Sequence, residues 1–316
     1  MDAHEKSPGL RAAWQRDMRA VIRGAWSRVC LATLFVCALL PLAGCGRALQ
    51  AGATMTRPAD NMMMVYVPAG AYPIGSSPEE AQAAQELCPR FWDNCQPGRY
   101  ENELPRHTVD LDAFWIDQIE VSNAQFRRCV DAGACAEPLC WTGGQFNAPE
   151  QPVVCITWHQ ARDYCAWAGA ALPSEAQWEA AARGTDGRLY PWGDDFQGEH
   201  ANYCDATCGR ARSDASWNDG VYYSAPVGSY PAGASWCGAL DLAGNVAEWV
   251  SDGYAPYSAA GEQPSVPPGT DANAVIRGGS WFQTPLELRA AWRQGVVPDA
   301  WFDDIGFRCA APATAH

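Results

Sequence analysis

The sequence has few long apolar runs, few basic residues after its N-terminal segment, and no histidines at paired spacing. Its most apolar stretch, Val29–Leu42, is about 14 residues long, whereas a helix that spans a bilayer needs roughly 20. After position 45 only 16 of the 22 Lys and Arg residues remain, against 33 of the 36 Asp and Glu residues. Because so acidic a surface repels nucleic acid and anionic lipid, we expect no nucleic-acid partner. No repeat of fixed period occurs, which excludes solenoids and propellers.

Motifs that depend on histidine or on a phosphate-binding loop are also missing. No Ser-His-Asp arrangement and no phosphate-binding loop stands out. The histidines after the N-terminal segment lack the spacing of zinc ligands: they are His107, His159, His200 and His316. The sequence therefore gives no sign of zinc, serine-hydrolase or nucleotide chemistry.

Residues 1–45 have the pattern of a bacterial lipoprotein signal. A positive segment precedes the apolar stretch, and it carries Arg11, Arg16, Arg19, Arg23 and Arg28. The stretch ends in Leu42-Ala43-Gly44-Cys45, in which small residues precede a cysteine that would be lipidated and become the mature N-terminus. Because Gly46 replaces the Asp that retains many lipoproteins at the inner membrane, we expect an exported protein whose lipid anchors it to the outer membrane. An uncleaved membrane anchor is the alternative, and Met18 is a second candidate start.

The remaining cysteines agree with an oxidising compartment. Of the 14 cysteines, three lie in residues 1–45 and eleven follow. Because eleven is odd, at least one thiol is unpaired or pairs with another molecule. The eleven are Cys88, Cys95, Cys129, Cys135, Cys140, Cys155, Cys165, Cys204, Cys208, Cys237 and Cys309.

After the signal the sequence divides into a short tether and one domain. Residues 46–61 are small and polar without periodicity, which predicts a flexible tether. Residues 62–312 form the predicted domain. Short strands are predicted at Met64–Val67, Ala71–Ile74, Ala274–Arg277 and Ile305–Cys309.

Three helices can be placed because each begins with a capping box, in which a hydroxyl and a glutamine three residues later satisfy backbone N–H groups. The boxes are Ser122-x-x-Gln125, Thr157-x-x-Gln160 and Ser174-x-x-Gln177. The predicted helices end at about Asp131, Ala168 and Arg183. A glycine, which favours the left-handed conformation that ends a helix, follows each of them: Gly133, Gly169 and Gly184.

From Gly184 to Pro268 the chain is rich in Gly, Pro, Asp and Asn and has only short apolar runs. It nevertheless contains large side chains that need burial, namely Trp192, Trp217, Trp236 and Trp249. We therefore predict a packed, loop-rich region, held by disulfides or metal ions rather than by regular hydrogen bonding.

A series of short motifs runs through residues 62–311. In order they are Val67-Pro68-Ala69-Gly70 with Ile74-Gly75-Ser76, Glu103-x-Pro105-x-His107, Phe114-x-Ile116-Asp117-x-x-Glu120-Val121-Ser122-Asn123, Pro152-Val153 with Trp158 and Tyr164-Cys165, Leu172-Pro173-Ser174-Glu175-Ala176-Gln177-Trp178-Glu179, Tyr190-Pro191-Trp192-Gly193, Asp241-Leu242-Ala243-Gly244-Asn245-Val246-Ala247-Glu248-Trp249, Arg277-Gly278-Gly279-Ser280-Trp281 and Gly306-Phe307-Arg308-Cys309. Taken together and in this order, they resemble the formylglycine-generating enzyme (sulfatase-modifying factor) family. The resemblance implies a single globular α+β domain, a variant of the C-type-lectin-like fold with little regular secondary structure. It also implies a structural role for His107.

The resemblance implies two structural calcium sites. The family's first site takes oxygens from the positions that match Asp241, Gly244, Val246 and Glu248. Its second takes them from the positions that match Asn202, Tyr203, Asp219 and Val221. Calcium prefers roughly six to eight oxygen ligands, and a glycine-containing loop between acidic side chains allows carbonyl oxygens to turn inward. Plain hydrogen bonding within a packed loop is the alternative for the first site, and the insertion that holds Cys204 and Cys208 can have remodelled the second.

The catalytic metal of the family has no ligands here. Enzymes of the family oxidise a sulfatase cysteine to formylglycine with O₂ and copper(I), which is held by two cysteines shortly after the Gly-Gly-Ser motif. Those positions fall on Gln283 and Leu288. Since an amide and an aliphatic side chain cannot hold copper(I), we expect neither copper nor this reaction. The family's substrate groove matches Ser280 and Trp281, beside Gln283.

The resemblance also implies a disulfide between Cys165 and Cys309. The family's other bridge falls on Ala182 and Arg293, so both of its partners are absent together. Short-range pairing is the simplest hypothesis for the other cysteines and leaves Cys237 over: Cys88–Cys95, Cys129–Cys135, Cys140–Cys155 and Cys204–Cys208. For Cys204 and Cys208, metal binding is the alternative.

Two groups of charged residues have no assigned chemistry. Three arginines either hold loops through carboxylate pairs or contact a ligand: Arg277, Arg289 and Arg308. The acidic segment Asp299–Asp304 is most simply a solvated loop.

Together these observations predict a lipid-anchored extracytoplasmic binding or accessory domain that is not an oxidase. Its ligand is expected to be a peptide, a glycan or a partner protein, and the membrane is reached through the lipid alone. One alternative is an enzyme of different chemistry on the same scaffold, as in relatives that help to make sulfoxides or secreted pigments. Another is formylglycine formation without the cysteine pair.

Overall fold

The computed structural model describes residues 49–258 and 272–313. The predicted signal, residues 1–45, and the predicted lipidation site Cys45 lie outside these residues. Over the described ranges, no helix combines the length and the apolar character that crossing a bilayer requires.

Short strands form three small sheets. The strands are β1 (Thr54–Arg57), β2 (Met62–Val67), β3 (Gly70–Ile74), β4 (His107–Leu111), β5 (Phe114–Asp117), β6 (Ala247–Gly253), β7 (Ala274–Arg277), β8 (Arg293–Val296), β9 (Ile305–Phe307) and β10 (Ala310–Pro312). The first sheet has the order β1-β2-β5-β10, the second pairs β3 with β4, and the third has the order β8-β7-β6-β9. All pairs are antiparallel except β6 with β9. The predicted strands are present, although the last one ends at Phe307 and pairing resumes in β10.

The three predicted helices are present, and each has the predicted capping box. They are α2 (Asn123–Asp131), α3 (Trp158–Trp167) and α4 (Glu175–Arg183). The glycine that follows each of them has a positive φ, between 66° and 76°. The prediction missed α1 (Pro78–Leu87), although Ser77 and Glu80 form a fourth capping box and Pro78 occupies its first turn.

The prediction of a flexible tether at residues 46–61 is wrong for the second half of this range. Thr54–Arg57 pairs with Met62–Val67, and Arg57 is buried. The Arg57 guanidinium donates to Asp60 and to Asp117, with shortest distances of 2.7 Å to each carboxylate. Because Asp117 is fully buried, Arg57 supplies a charge that this carboxylate needs. The folded domain therefore begins before residue 62.

The loop-rich region is packed, as predicted. Between α4 and β6 the chain forms single 3₁₀ turns, at Gly198–His200, Ala206–Cys208 and Pro231–Gly233, and isolated bridges between Tyr190 and Gly193 and between Asp205 and Asp214. Trp249 is fully buried, and the other three tryptophans of the region are half-buried. Trp236 Nε1 donates to the Ala180 carbonyl at 2.8 Å, which fastens this region to α4.

Five disulfides stabilise the fold, and their pairings are the predicted ones. They are Cys88–Cys95, Cys129–Cys135, Cys140–Cys155, Cys165–Cys309 and Cys204–Cys208. Cys165–Cys309 joins α3 to the segment between β9 and β10 and closes a separation of 144 residues. In the described part of the chain, Cys237 is the one cysteine outside a disulfide, and it is buried.

Candidate functional site

A cavity of about 490 Å³ opens beside the Gly-Gly-Ser segment that follows β7. We call it the groove cavity. Its lining mixes arginines, carboxylates, amides and apolar side chains: Trp92, Arg99, Arg210, Arg212, Ile276, Trp281, Phe282, Gln283, Gln294, Val296, Phe302, Asp303, Asp304 and Ile305. Of the three residues predicted for the substrate groove, Trp281 and Gln283 line it directly.

Ser280, the third predicted groove residue, does not line the cavity but contacts a residue that does. It is fully buried, and its hydroxyl donates to Asp304 Oδ2 at 2.8 Å. Asp304 lines the groove cavity, and burial raises the pKa of its carboxyl group. The segment Asp299–Asp304, predicted to be a solvated loop, therefore ends in a groove wall, while Asp299 itself is exposed.

The two positions that match the copper cysteines lie in different surroundings. The Gln283 backbone is held by Ser280 and Cys204, and its side-chain oxygen Oε1 is buried without a hydrogen-bond partner. Leu288 is fully buried in an apolar cluster with Tyr190, Ala201, Tyr203 and Ala243. Neither side chain offers sulfur, so these residues do not fit a soft monovalent metal.

The free thiol lies elsewhere. Cys237 packs in the core cluster that contains Trp178 and Val250, and its sulfur contacts the Ser235 hydroxyl at 3.3 Å. Burial raises the pKa of Cys237, so this thiol is unreactive at neutral pH.

Glu248, a predicted calcium ligand, already has a cationic partner. Arg308 donates to both of its oxygens, at 2.6 and 2.7 Å, and Trp178 Nε1 donates to Oε2 at 2.7 Å. All three side chains are buried. The predicted Arg308 carboxylate pair is therefore present, and Glu248 has fewer free lone pairs for a metal than the family resemblance implies.

Glu120 and Asp241 give this region more negative charge than Arg308 neutralises. Both are buried, and Asp241 accepts from the Gly228 N–H at 2.6 Å. Burial, with Asp241 and Glu248 nearby, raises the pKa of Glu120 well above its ordinary value. Burial likewise raises the pKa of Asp241 to about 6. A divalent cation would relieve this excess charge, so the first site fits calcium chemically.

The second predicted calcium region has one buried side-chain oxygen that lacks a partner. Asn202 is buried, and its side-chain Oδ1 has no hydrogen-bond partner. Burial and the neighbouring Asp205 raise the pKa of Asp219, whose carboxylate accepts from Tyr230 OH and from the Val221 N–H, both at 2.7 Å. These oxygens also suit calcium, although carboxylates alone do not suffice: across the described residues, no three His, Cys, Asp or Glu side chains form a metal cluster.

Gly244 lies where the two predicted calcium regions meet. A Cβ at this position would lie 2.3 Å from the Asn202 carbonyl oxygen, and the residue has a φ of +81°. The neighbouring Asn245 N–H donates to the same carbonyl at 2.8 Å. The two regions are therefore in direct contact, and glycine is required at the point where their backbones meet.

The other arginines with two predicted roles form buried carboxylate pairs. Arg289 donates to both oxygens of Glu103, at 2.6 and 2.8 Å. Arg277 contacts Glu175 and Glu179. Arg293, at one position of the absent family bridge, donates to both oxygens of Glu175 at 2.7 Å. Since these residues are buried, their role is structural.

His107 lies in β4 and is buried. Its Nδ1 is 3.0 Å from the Pro105 carbonyl, and its ring packs edge-on against Tyr257 at 4.9 Å. These contacts agree with the structural role that the family resemblance implies.

Comparisons with known proteins identify relatives of this chain. The sequence profile of the sulfatase-modifying factor enzyme 1-like domain matches residues 50–313. The formylglycine-generating enzyme of Streptomyces coelicolor is 32% identical over 306 residues, which cover 81% of this chain and 91% of that enzyme. A Mus musculus protein named inactive C-alpha-formylglycine-generating enzyme 2 is 38% identical over 170 residues, which cover 52% of this chain and 50% of that protein. The structure of PvdO from Pseudomonas aeruginosa superposes with a TM-score of 0.65 at 25% identity and covers 84% of this chain and 100% of PvdO.

The chain belongs to the sulfatase-modifying factor family. The profile match and the superposition confirm the predicted family and the predicted α+β fold of a single domain.

Sequence reasoning missed Glu120 at the first predicted calcium region and four residues at the mouth of the groove cavity: Trp92, Arg99, Arg210 and Arg212. Glu120 lies between Ile119 and Val121 in a quoted motif, and an acidic residue in an apolar context was the available signal. For Arg210 and Arg212, the signal was a basic pair directly after Cys208 in an otherwise acidic chain.

Proposed function

We propose that this chain is an exported, lipid-anchored member of the family that binds a ligand in the groove cavity and does not oxidise cysteine. The ligand is a peptide, a glycan or a partner protein. The lipoprotein pattern of residues 1–45 supports the location, and the composition of the cavity wall supports ligand binding.

One observation carries the proposal: the position of the family's second copper ligand is part of the core. Leu288 is fully buried, and one of its methyl groups lies 2.9 Å from where a Cβ of Gly279 would be. Gln283 keeps an amide in the groove cavity, which suits hydrogen bonding to a ligand rather than binding of copper(I). The name of the mouse relative indicates that activity has also been lost in another member of the family.

Calcium is proposed as the structural cofactor. Asp241, Glu120 and the carbonyl groups of the Gly244–Val246 loop would hold one ion, and Asn202, Asp219 and neighbouring carbonyl groups a second. The buried excess of carboxylates and the unpartnered Asn202 Oδ1 support this assignment. Bound calcium would fix the loops that carry the wall of the groove cavity.

Elemental analysis of the purified protein, before and after chelation, tests this function together with an assay of cysteine oxidation. We expect calcium and no stoichiometric redox metal. A sulfatase peptide that contains cysteine should cause no oxygen consumption beyond background and no formylglycine detectable by mass spectrometry. Formylglycine in that peptide, or a redox metal at one equivalent, would contradict the proposal.

The double variant Gln283→Cys, Leu288→Cys provides the matched control. If these are the lost ligand positions, the double variant should bind copper(I) while the unaltered chain does not. Copper(I) bound equally by both proteins would show that a copper site lies elsewhere, and this result would also contradict the proposal.

A further inference from the structure

Three arginines and two aromatic rings alternate along the mouth of the groove cavity. The Arg99 guanidinium lies 4.5 Å from the centre of the Trp92 ring, and Arg212 lies 4.7 Å from the same ring. Arg212 is also 4.0 Å from the Phe282 ring, and Arg210 is 4.4 Å from it. We call this stack the arginine ladder. Cation–π contacts of this kind orient guanidinium groups without neutralising their charge.

Two of the three ladder arginines lack the carboxylate partners that many other arginines of this protein have. Across residues 49–258 and 272–313, neither Arg210 nor Arg212 has a carboxylate oxygen within 4.0 Å, and Arg99 contacts Glu287 at 3.4 Å. Burial lowers the pKa of Arg212, and the neighbouring Arg210 and Arg99 lower it further, while nearby Glu287 and Asp304 raise it in part. An anion beside Arg212 would therefore be favoured.

Three residues that line the groove cavity have a buried polar atom without a hydrogen-bond partner. They are Arg212 Nε and Trp92 Nε1, which are donors, and Gln283 Oε1, which is an acceptor. Buried polar groups normally find partners, so these three atoms mark the cavity wall as a place where hydrogen bonds are still to be made. A ligand that accepts hydrogen bonds near the ladder and donates one near Gln283 would suit this wall.

Two disulfide loops hold the arginine ladder in place. Trp92 lies within the loop closed by Cys88–Cys95, and Arg210 and Arg212 follow the loop closed by Cys204–Cys208. The Cys204 N–H donates to the Gln283 carbonyl at 2.8 Å. The Arg212 Nη2 group donates to the Phe282 carbonyl, also at 2.8 Å. The ladder is therefore fixed over the position where the family has its first copper cysteine.

The rim of the cavity is also apolar in part. Phe302 lines the cavity, and Val297, Trp301 and Phe302 are large exposed side chains of one short segment. Exposed apolar groups beside a cavity are typical of a surface that binds a partner. A ligand for this site would thus combine an anionic group with apolar groups.

We propose that the groove cavity binds an acidic peptide segment, in which Arg210 and Arg212 hold an Asp or Glu carboxylate and Gln283 accepts a peptide N–H. The inference rests on the proposed ligand-binding function and names its ligand class. A peptide carries the carboxylate, the N–H donor and the apolar side chains within a few residues. Guanidinium groups form paired hydrogen bonds with carboxylates.

An acidic glycan fits this cavity less well. Sugars bind to proteins by stacking on open aromatic faces, but the Trp92 ring is already in contact with Arg99 and Arg212. The Phe282 ring is likewise in contact with Arg210 and Arg212. The arginine ladder therefore presents N–H groups rather than ring faces.

The test uses two pools of acetylated, amidated heptapeptides that are random except at the central residue, which is Glu in one pool and Gln in the other. Binding to the full chain is measured by fluorescence polarisation, and the indole N–H signal of Trp92 is followed by NMR. Charged hydrogen bonds of this kind change affinity by about tenfold or more, so we expect the Glu pool to bind at least tenfold more tightly. It should also shift the Trp92 signal.

Variants separate the ladder from a general effect of charge. The double variant Arg210→Gln, Arg212→Gln should bind both pools equally. The single variant Arg210→Gln changes an exposed residue and therefore provides a version that keeps the fold. The matched control is Arg127→Gln, because Arg127 is also stacked on a tryptophan, Trp141 at 4.0 Å, but does not line the cavity. The control should keep the full preference for Glu.

Several results would overturn the inference. They are equal binding of the two pools, a Glu preference that survives loss of both arginines, no binding of either pool, or tighter binding of oligogalacturonate than of the peptides. Equal binding of both pools, with no cysteine oxidation, would leave the proposed function intact. Oxidation of a cysteine peptide would contradict the proposed function, whether or not the arginine ladder binds acidic peptides.

Discussion

At the scale of single residues, Arg308 shows how this loop-rich protein is held together. It is fully buried, and its guanidinium donates to Glu248 and to the carbonyls of Asp117, Gln118 and Leu240. One side chain thus joins β6 to the end of β5 and to the loop that contains Leu240.

Arg308→Met should lower the free energy of unfolding by about 3–5 kcal/mol, because Glu248 would be left buried without its partner. The control is Arg162→Met, which breaks the exposed pair with Asp163 and should cost about 0–1 kcal/mol. Urea denaturation followed by circular dichroism measures both. Equal losses in the two variants would show that the buried pair contributes no more than a surface pair.

Gln283 and Leu288, at the positions that match the copper ligands of the family, each fit the surrounding fold. Leu288 completes an apolar cluster, and Gln283 becomes part of a polar wall. Each replacement is compatible with its surroundings, so the fold places no demand for cysteine at either position.

At the scale of elements, β1 contributes a buried arginine that pairs with two carboxylates. Its Arg57 neutralises Asp60 and Asp117, and Tyr164 of α3 donates to Asp60 at 2.7 Å. β1 thereby connects the first sheet to α3.

A chain that begins at residue 62 should be less stable than one that begins at residue 46 by about 3–5 kcal/mol, or should fail to fold. Asp117 would remain fully buried without Arg57. The urea midpoints of the two purified chains, or the soluble yield if the shorter one does not fold, provide the measurement. Identical midpoints would mean that residues 46–61 act as the tether that their composition suggested.

At the scale of the whole molecule, buried acids make stability depend on pH. The folded chain raises the pKa of Asp241 to about 6 and also raises that of Glu120. Between the unfolded and folded pKa values the folded state binds more protons than the unfolded state. Without metal, stability must therefore fall as pH rises through that range.

Thermal unfolding of the chelated protein should accordingly occur at higher temperature near pH 5 than near pH 7. At saturating calcium, the unfolding temperature at pH 7 should rise by about 5–10 °C, because the ion binds only the folded state. Asp241→Asn should reduce this calcium shift. Asp252→Asn is the matched control, since burial also raises the pKa of Asp252 to about 6 outside the calcium regions, and it should keep the shift. A calcium shift that Asp241→Asn does not reduce would contradict the first site.

Much of this architecture could be predicted from the sequence alone. Capping boxes at Ser122, Thr157 and Ser174 located three helices, because a cap is a local interaction within a few residues. The ordered motifs identified the family, and cysteine spacing gave the short-range disulfides. Each of these signals lies within a short stretch of sequence.

The tertiary structure decided what depends on contacts between distant residues. Composition indicated a tether at residues 46–61, but Arg57 reaches Asp117 across 60 positions. The arginine ladder brings together residues near positions 92, 210 and 282, which no short pattern relates. Burial and charge pairing depend on which segments meet in space. For that reason the full set of residues that line the groove cavity became visible only in the folded chain.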